Sequence, residues 1–330
     1  MTARRTVLVL SDPHYAGPIE QGRPGHEAKA VSNPVLRRLL GAYRRHIWLR
    51  DPLAHNHLLD RFLAAAPPAD LVVGNGDYSC DTAFVGLLDD GAFESAAICI
   101  GRLRDRFGAA LRLTYGDHEL GKYSLFGGQG GMRLGSWRRA GAELGLEPCW
   151  QQTMGRHVLL GVVSSLVALP VYGPEGLPDE APEWARLRRE HLAEIASVFD
   201  RLQADQRLIL FCHDPTALPY LQAEAAVRRK LPQIEATIVG HLHTPLVLWP
   251  SRLLAGMPRI GFLGNAVRRF STALNQARHW RTFRMRLCPS LAGCQLRRDG
   301  GFLSLAIDPS AARPTAIRFH PLPWDPAPRP

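Results

Sequence analysis

Short apolar runs that stop at polar residues alternate with longer amphipathic stretches in the first third of the chain. Apolar runs of four or five residues without polar alternation are typical of strands buried on both faces of a parallel sheet. The stretches between them carry apolar side chains at helical spacing. The pattern therefore predicts a β–α–β–α–β unit. Its strands are residues 6–10, 70–73 and 111–114, and its helices are residues 54–66 and 92–107.

The same alternation returns in the second half, where residues 183–202 are predicted to form a helix. Residues 293–320 have the pattern of an antiparallel pair around a turn at Asp299-Gly-Gly301. Polar residues follow most of the predicted strands, and ligand sites in α/β sheets lie at the carboxyl ends of strands. The predicted strands of this half are residues 157–163, 207–212, 235–239, 294–298 and 302–307.

Composition adds a basic charge to this α/β pattern. The 330 residues carry 40 Lys+Arg against 30 Asp+Glu, a formal net charge of +10 that excludes an acidic disordered protein. Such a charge favours anionic partners, namely a phosphoester substrate, nucleic acid or an anionic membrane surface. Nearly all of it comes from arginine, which binds phosphate bidentately, although an arginine-rich genome would produce the same bias.

Cysteine spacing and hydropathy limit the class of protein further. None of the six cysteines forms a C-x-x-C pair, which argues against a zinc ribbon, a disulfide framework or a thioredoxin-like motif. The longest apolar run, residues 158–171, is too short to span a bilayer, and the N-terminus fits no signal peptide, so we expect no transmembrane segment. We expect a cytoplasmic protein with reduced thiols, and a peripheral membrane location stays open.

Aspartate and histidine side chains cluster where the predicted strands end. Carboxylate and imidazole ligands without thiolates suit Mn, Fe or Zn. The cluster has more members than one ion needs, and Asp77 is the natural candidate for a carboxylate that bridges two ions. The clustered residues are Asp12, His14, Asp77, Asp117, His118, His213, His241 and His243, with Asp81 nearby.

Five short blocks contain these residues and occur in a fixed order along the chain. They are Asp12-Pro-His14, Gly76-Asp77, Gly116-Asp-His-Glu119, His213 and Gly240-His-Leu-His243. In this order they resemble the calcineurin-like metallophosphoesterase family, over roughly residues 5–245. The resemblance implies an α/β fold, a four-layer sandwich in which two mixed β-sheets are flanked by helices. It also implies a hydrolase that cleaves a phosphoester with a hydroxide activated by a binuclear centre.

The resemblance further implies two divalent or mixed-valence ions, of Mn, Fe or Zn, and a ligand set for each. Asp12, His14, Asp77 and His243 would hold one ion, whereas Asp77, Asp117, His213 and His241 would hold the other. His118 would lie beside the phosphoryl oxygens as the catalytic residue. The family usually has Asn where this chain has Asp117. We therefore expect an intact site with an altered charge balance.

Three alternatives for the function stay open at this point. The chain could be a nuclease-like phosphodiesterase, a lipid-directed phosphodiesterase or a catalytically dead binding scaffold. The intact His118 and His243 argue against the scaffold. Eight histidines lie outside the five blocks and are predicted to be solvent-exposed: His26, His46, His55, His57, His157, His191, His279 and His320.

The length allows two domains, but we predict one catalytic domain over residues 1–320. A helical insertion is expected at about residues 15–53, and it either packs over the site or offers a basic amphipathic surface to anionic lipid. An Arg-rich accessory segment at about residues 264–286 is either a solvated or packed face or a nucleic-acid contact. Residues 321–330 form a Pro-rich tail.

Overall fold

Ten strands and fourteen α-helices make up the computed structural model, which describes residues 3–124 and 127–324. The strands are β1 Arg5–Leu10, β2 Leu71–Asn75, β3 Leu111–Thr114, β4 Cys149–Met154, β5 His157–Val162, β6 Arg207–Cys212, β7 Ile234–Val239, β8 Met285–Leu287, β9 Gly301–Ile307 and β10 Ala316–Pro321. The helices are α1 Pro18–Gln21, α2 His26–Lys29, α3 Pro34–His46, α4 Asn56–Ala65, α5 Asp90–Phe107, α6 Asp117–Leu120, α7 Leu134–Ala142, α8 Ser164–Val167, α9 Leu169–Tyr172, α10 Ala181–Arg201, α11 Leu218–Ala223, α12 Ala225–Lys230, α13 Pro245–Leu253 and α14 Asn265–Gln276.

The strands form two five-stranded sheets, in the orders β10-β9-β1-β2-β3 and β4-β5-β6-β7-β8. Both sheets are mixed. In the first, β1, β2 and β3 are parallel and β9 runs antiparallel to β1. In the second, β5 to β8 are parallel and β4 runs antiparallel to β5. The predicted α/β fold with two mixed sheets flanked by helices is confirmed.

Side-chain alternation along β1 shows how the layers pack. Val7 and Val9 belong to an apolar cluster that also contains Ile209 and Phe211 of β6, so this face packs against the other sheet. Leu8 and Leu10 belong to a second cluster, together with apolar residues of α4 and α5. Because successive strand side chains point to opposite faces, one strand contacts both the other sheet and the helices. This explains why β1 is apolar throughout.

The predicted hairpin near the C-terminus was assigned to the wrong pair of strands. Residues 294–298 form a turn, and the backbone N–H of Arg298 donates to the carbonyl of Cys294. The antiparallel partners of β9 are β1 and β10, with Phe319 of β10 opposite Leu303. Asp299 favours the turn because its carboxylate accepts from Thr244 Oγ1 at 2.8 Å and from the Cys294 N–H at 3.3 Å.

The segment predicted as an insertion contains α1, α2 and α3. Helix α3 begins after Asn33, whose Oδ1 accepts from the N–H groups of Val35 and Leu36, and Pro34 occupies its first turn. Of the predicted tail, residues 321–324 are described: Leu322 is buried, and its N–H donates to the carbonyl of Gly300. Residues 325–330 lie outside the described residues. Within the described ranges, no helix combines the length and apolar composition needed to cross a bilayer.

Two of the histidines predicted to be solvent-exposed are buried instead. His157 is fully buried, with its Nε2 2.7 Å from Glu235 Oε2, and His191 is 3% exposed. His191 lies on α10, and its Nε2 accepts from the backbone N–H of Val163 at 3.1 Å. Helical position could have indicated this burial, because His191 lies one turn before the buried Ile195 on the same face of α10.

We expect His191 to weaken the fold in mild acid. Burial lowers its pKa from 6.5 to about 3, so the folded state binds fewer protons than the unfolded chain between these values. The contribution of neutral His191 to the free energy of unfolding is therefore complete above pH 6.5. It is lost as the pH falls below this value, at about 1.4 kcal/mol per pH unit. His191→Gln keeps an acceptor for Val163 and should lose about 2 kcal/mol less than the wild type between pH 7 and pH 5. Urea unfolding at the two pH values measures this, and equal losses would contradict it.

Candidate metal centre

The carboxyl ends of strands from both sheets meet at one place. In the first sheet Asp12 and Asp77 each follow a strand by two residues, and in the second sheet His213 directly follows β6. Contacts join the two sheets at this edge. The N–H of His241 donates to Asp12 Oδ1 at 3.0 Å, and His213 Nδ1 donates to the carbonyl of Asn75 at 2.6 Å. Side chains that lie far apart in the sequence are thereby brought together.

The clustered side chains fall into two groups of four whose candidate ligand atoms lie within 4.8 Å of one another. Asp77 belongs to both groups, and either group could hold a divalent metal ion. The membership of each group is the one that the family resemblance implies. One group is Asp12, His14, Asp77 and His243, and the other is Asp77, Asp117, His213 and His241.

Hydrogen bonds orient the rings of two histidines. The carbonyl of Asn75 can only accept, so Nδ1 of His213 carries a proton and Nε2 is the ring atom that faces the carboxylates. Burial lowers the pKa of His213, but Asp77 and Asp12 outweigh it and hold this pKa well above its usual value. This Nε2 is buried without a hydrogen-bond partner, 3.1 Å from Asp77 Oδ2 and 3.4 Å from Asp117 Oδ1. His14 is oriented in the same way, since its Nδ1 donates to the carbonyl of Ser79 at 3.0 Å. A ring nitrogen held toward buried carboxylates can bind a metal ion once it loses its proton, which is the fit expected of a metal site.

The pKa values of the aspartates show the same need for a cation. Burial and the neighbouring Asp117 raise the pKa of Asp77 to about 6. Burial acts in the same direction on Asp12 and Asp117, but the adjacent histidines outweigh it and hold the pKa of both carboxyls below the usual value. Three buried carboxylates lie together, and positive charge is what keeps them ionised.

Backbone strain is concentrated at these residues. Within the described chain, eight non-glycine residues have a positive φ, and five of them are candidate ligands. Such conformations cost of order 1–3 kcal/mol each and persist where the surrounding structure enforces them, most often at functional sites. The five are Asp12 (49°), His14 (42°), Asp77 (59°), His241 (56°) and His243 (58°).

Two residues of the third block, Glu119 and Gly116, also have structural tasks. The buried Glu119 accepts from the N–H groups of Asp77, Tyr78 and Gly116 at 2.7–3.0 Å, and so it holds two ligand loops together. A Cβ on Gly116 would overlap the Asp77 carboxylate, which explains the glycine at this position. The sequence placed Glu119 in the block but did not predict this role.

His118 lies beside the two groups and belongs to neither. Its Nδ1 donates to the carbonyl of Ser79 at 3.0 Å, and its Nε2 is 3.9 Å from Asp77 Oδ2. Burial holds the pKa of His118 well below its usual value, and the nearby Lys122 and His14 act in the same direction. The imidazole is therefore neutral at pH 7, with the lone pair of Nε2 directed away from Ser79.

A cavity of about 270 Å³ opens over the two groups. Helix α3 contributes Leu40, Tyr43 and Arg44 to its wall, and the Trp48 ring stacks on His243 with 4.7 Å between the ring centroids. Thus α3 covers one side of the site. Arg269 of α14 also lines the wall.

Two ion-pair networks border the cavity, and the sequence did not reveal them. Arg44 contacts Glu27 and lies 3.3 Å from Asp81, so Asp81 serves this pair and neither metal group. Arg269 lies 3.2 Å from Glu175, which is 94 residues earlier in the chain. No local pattern could have indicated such pairs.

Asn75 and Asp214 both lie next to candidate ligands. Asp214 Oδ2 is 3.6 Å from His241 Nε2 and also accepts from the Tyr172 hydroxyl. Asn75 acts through its backbone carbonyl, while its buried side-chain amide has no partner in the described structure. Asp214 therefore contacts a ligand side chain, and Asn75 does so through the main chain alone.

Comparisons with known proteins give distant similarities. No family model matches the chain, and no curated protein matches it. Among solved structures, similarity is found to a conserved Streptococcus pneumoniae protein described as a predicted phosphoesterase (11% identity, 93% of this chain and 86% of that chain, TM-score 0.28). Another is the phosphopantetheinyl hydrolase of Mycobacterium tuberculosis (15%, 74% and 85%, 0.37). A third is a Staphylococcus aureus protein described as a 5′-nucleotidase (11%, 96% and 53%, 0.37). At this level of similarity, function has to be argued from the side chains of the site.

Proposed function

We propose that this chain is a metal-dependent phosphoesterase that hydrolyses a phosphoester at the two Asp/His groups. The observation that carries the proposal is the pair of four-residue groups that share Asp77 beneath a cavity. Carboxylate and imidazole donors without thiolates suit Mn, Fe or Zn. Bound there, two such ions would lower the pKa of a water molecule and neutralise charge on the phosphoryl oxygens.

The chain's own residues have distinct tasks in this proposal. The carbonyl of Asn75 fixes the orientation of His213, and the carbonyl of Ser79 orients both His14 and His118. Neutral His118 takes up a proton from solvent water on Nε2 when a negatively charged phosphoryl group enters, because the anion stabilises the imidazolium. Nε2 then donates this proton to the leaving oxygen as the P–O bond breaks.

Asp117 is proposed to shift the substrate preference toward diesters. It adds a third carboxylate to the centre where the family usually has a neutral amide, so it lowers the positive charge by one. A dianionic monoester loses more attraction from this change than a monoanionic diester does. One charge at about 5 Å in an effective dielectric of about 20 corresponds to about 3 kcal/mol, an upper bound for the difference.

Asp117→Asn is expected to keep both metal groups occupied and to favour monoesters. The kcat/KM ratio of monoester to diester hydrolysis should rise by about 10- to 100-fold, because the lost carboxylate restores one positive charge. The ratio is measured with a monoester and a diester that share one leaving group. Asp214→Asn also removes one negative charge, but from a side chain beside His241 that belongs to neither metal group. It therefore controls for the position of the removed charge. An unchanged ratio at unchanged metal content would contradict the diester preference.

The proposed activity is tested on the purified chain with and without metal. Chelation should abolish hydrolysis of a panel of mono- and diesters, and addition of Mn, Zn or Fe should restore it. A chain that holds metal yet hydrolyses none of the panel would favour the binding scaffold.

A further inference from the structure

A long stretch that begins at the metal centre contains no acidic residue. Residues 236–298 include ten arginines and no Asp or Glu. The stretch contains His241 and His243 and continues through α13, α14 and β8. A local excess of positive charge on this scale attracts polyanionic partners.

Five of these arginines line a single depression of about 500 Å³, together with Trp280. All five are exposed, and within the described chain none pairs with a carboxylate. No carboxylate offsets the repulsion among these five positive charges. An anion that enters the depression is therefore attracted by all five arginines. They are Arg252, Arg278, Arg281, Arg284 and Arg286.

Large apolar side chains are exposed on the same stretch. Trp249 is 70% exposed, Leu253 is 73% exposed and Phe262 is 86% exposed. Leu254, Leu263 and Phe270 are exposed as well. Apolar side chains in such number on one surface of a protein mark an interaction site. Leu253 directly follows Arg252 on α13, so exposed apolar and basic residues occur on the same helix.

This surface borders the mouth of the metal-site cavity. Helix α13 begins two residues after His243, and Arg269 of α14 lines the cavity wall. Tyr123 lines both the cavity and a neighbouring depression formed with Leu263 and Phe270. A partner seated on the surface would therefore lie next to the opening of the site.

We propose that residues 245–286, named here the docking surface, bind an anionic lipid bilayer. The arginines would pair with headgroup phosphates, while Trp249, Phe262 and the leucines would enter the interfacial layer. Charge complementarity and exposed apolar side chains are the two requirements for peripheral binding, and both occur on these elements. The site would then open toward phosphoesters at the membrane surface.

Other partners fit this surface less well. A second copy of the chain would bring one acid-free arginine surface against another, and like charges would oppose the contact. Nucleic acid would satisfy the arginines and could stack on Trp249 or Phe262, but it offers nothing to the exposed leucines. The bilayer is the partner that accounts for both kinds of side chain.

Vesicle co-sedimentation of the full chain tests the proposal. The probes are vesicles of phosphatidylcholine alone and of an equal mixture with phosphatidylglycerol. The wild type should bind the anionic vesicles about tenfold more tightly or better, and high salt should weaken this binding. Combined Arg252→Glu, Arg278→Glu and Arg281→Glu substitutions should lower the affinity by about tenfold or more. Combined Trp249→Ser, Leu253→Ser and Phe262→Ser substitutions should remove the binding that persists at high salt.

A matched control separates local from overall charge. Arg138→Glu, Arg189→Glu and Arg318→Glu together change the net charge equally at exposed positions outside the docking surface, and this variant should bind anionic vesicles as the wild type does. Equal binding to neutral and anionic vesicles would overturn the proposal. So would equal loss in the control variant, tighter binding to RNA or duplex DNA, or a dimer that buries Trp249.

Vesicle binding is read out without any reaction, so it can fail or succeed independently of the proposed function. Each variant should also hydrolyse a small soluble ester at the wild-type rate, because none of the substituted residues contacts the metal groups. Absence of hydrolysis in the wild type would count against the phosphoesterase and leave the docking result unaffected.

Discussion

Replacement of His118 by alanine is expected to lower kcat by about 10²–10⁴-fold while the protein keeps its metal ions. The imidazole belongs to neither metal group, and its proposed task is to transfer a proton to the leaving oxygen. The loss should therefore be largest for esters with poor leaving groups and much smaller for nitrophenyl esters, whose leaving oxygen needs no proton. Steady-state kinetics with both kinds of ester measure this difference.

His46→Ala provides the matched control for His118, because His46 is exposed on α3 and lies in neither metal group. It should leave kcat unchanged. An equal loss for good and poor leaving groups in His118→Ala would assign His118 to another task than proton transfer.

Replacement of His213 by alanine is expected to remove metal and activity together. Its buried Nε2 has no hydrogen-bond partner and faces Asp77 and Asp117, so the substitution leaves two carboxylates without their nearest counterpart. Removal of one direct ligand should weaken metal binding more strongly than the 10- to 100-fold loss typical of supporting residues. Titration with Mn or Zn, followed by calorimetry, gives the affinity.

His157→Ala is the control for the loss of a buried histidine in the same sheet. His157 begins β5, at the end of the sheet away from the strand carboxyl termini, and it lies next to Glu235. This variant should lose stability and retain metal affinity. If His213→Ala binds metal as tightly as His157→Ala does, His213 is not a ligand.

The strands and the members of the site could be predicted from the sequence because both depend on local patterns. The apolar run of β1 is uninterrupted since it is buried on two sides, and Asp12 follows it at the sheet edge. The five blocks name side chains whose loops the fold must bring to one edge. Strand order, by contrast, depends on which partner a strand finds. The turn at 294–298 has apolar and polar residues in alternation, and this pattern resembles that of a strand.

Features that depend on distant contacts could not be predicted. The pairing of Arg269 with Glu175 and the contact of His157 with Glu235 arise from tertiary packing. For α3, the sequence left a packed helix and an amphipathic surface as alternatives. The structure shows that α3 packs over the site, since Leu40 is buried beside the cavity, and it leaves Val35 and Leu39 exposed.

The metal content of the purified chain tests the central claim most directly. Elemental analysis after equilibration with Mn, Zn or Fe should give two ions per chain, one for each Asp/His group. Because Asp77 belongs to both groups, Asp77→Ala should reduce the content of both ions, whereas Asp81→Ala should leave it unchanged. A wild-type chain without metal, or an Asp77→Ala chain that retains two ions, would contradict a metal centre built around this carboxylate.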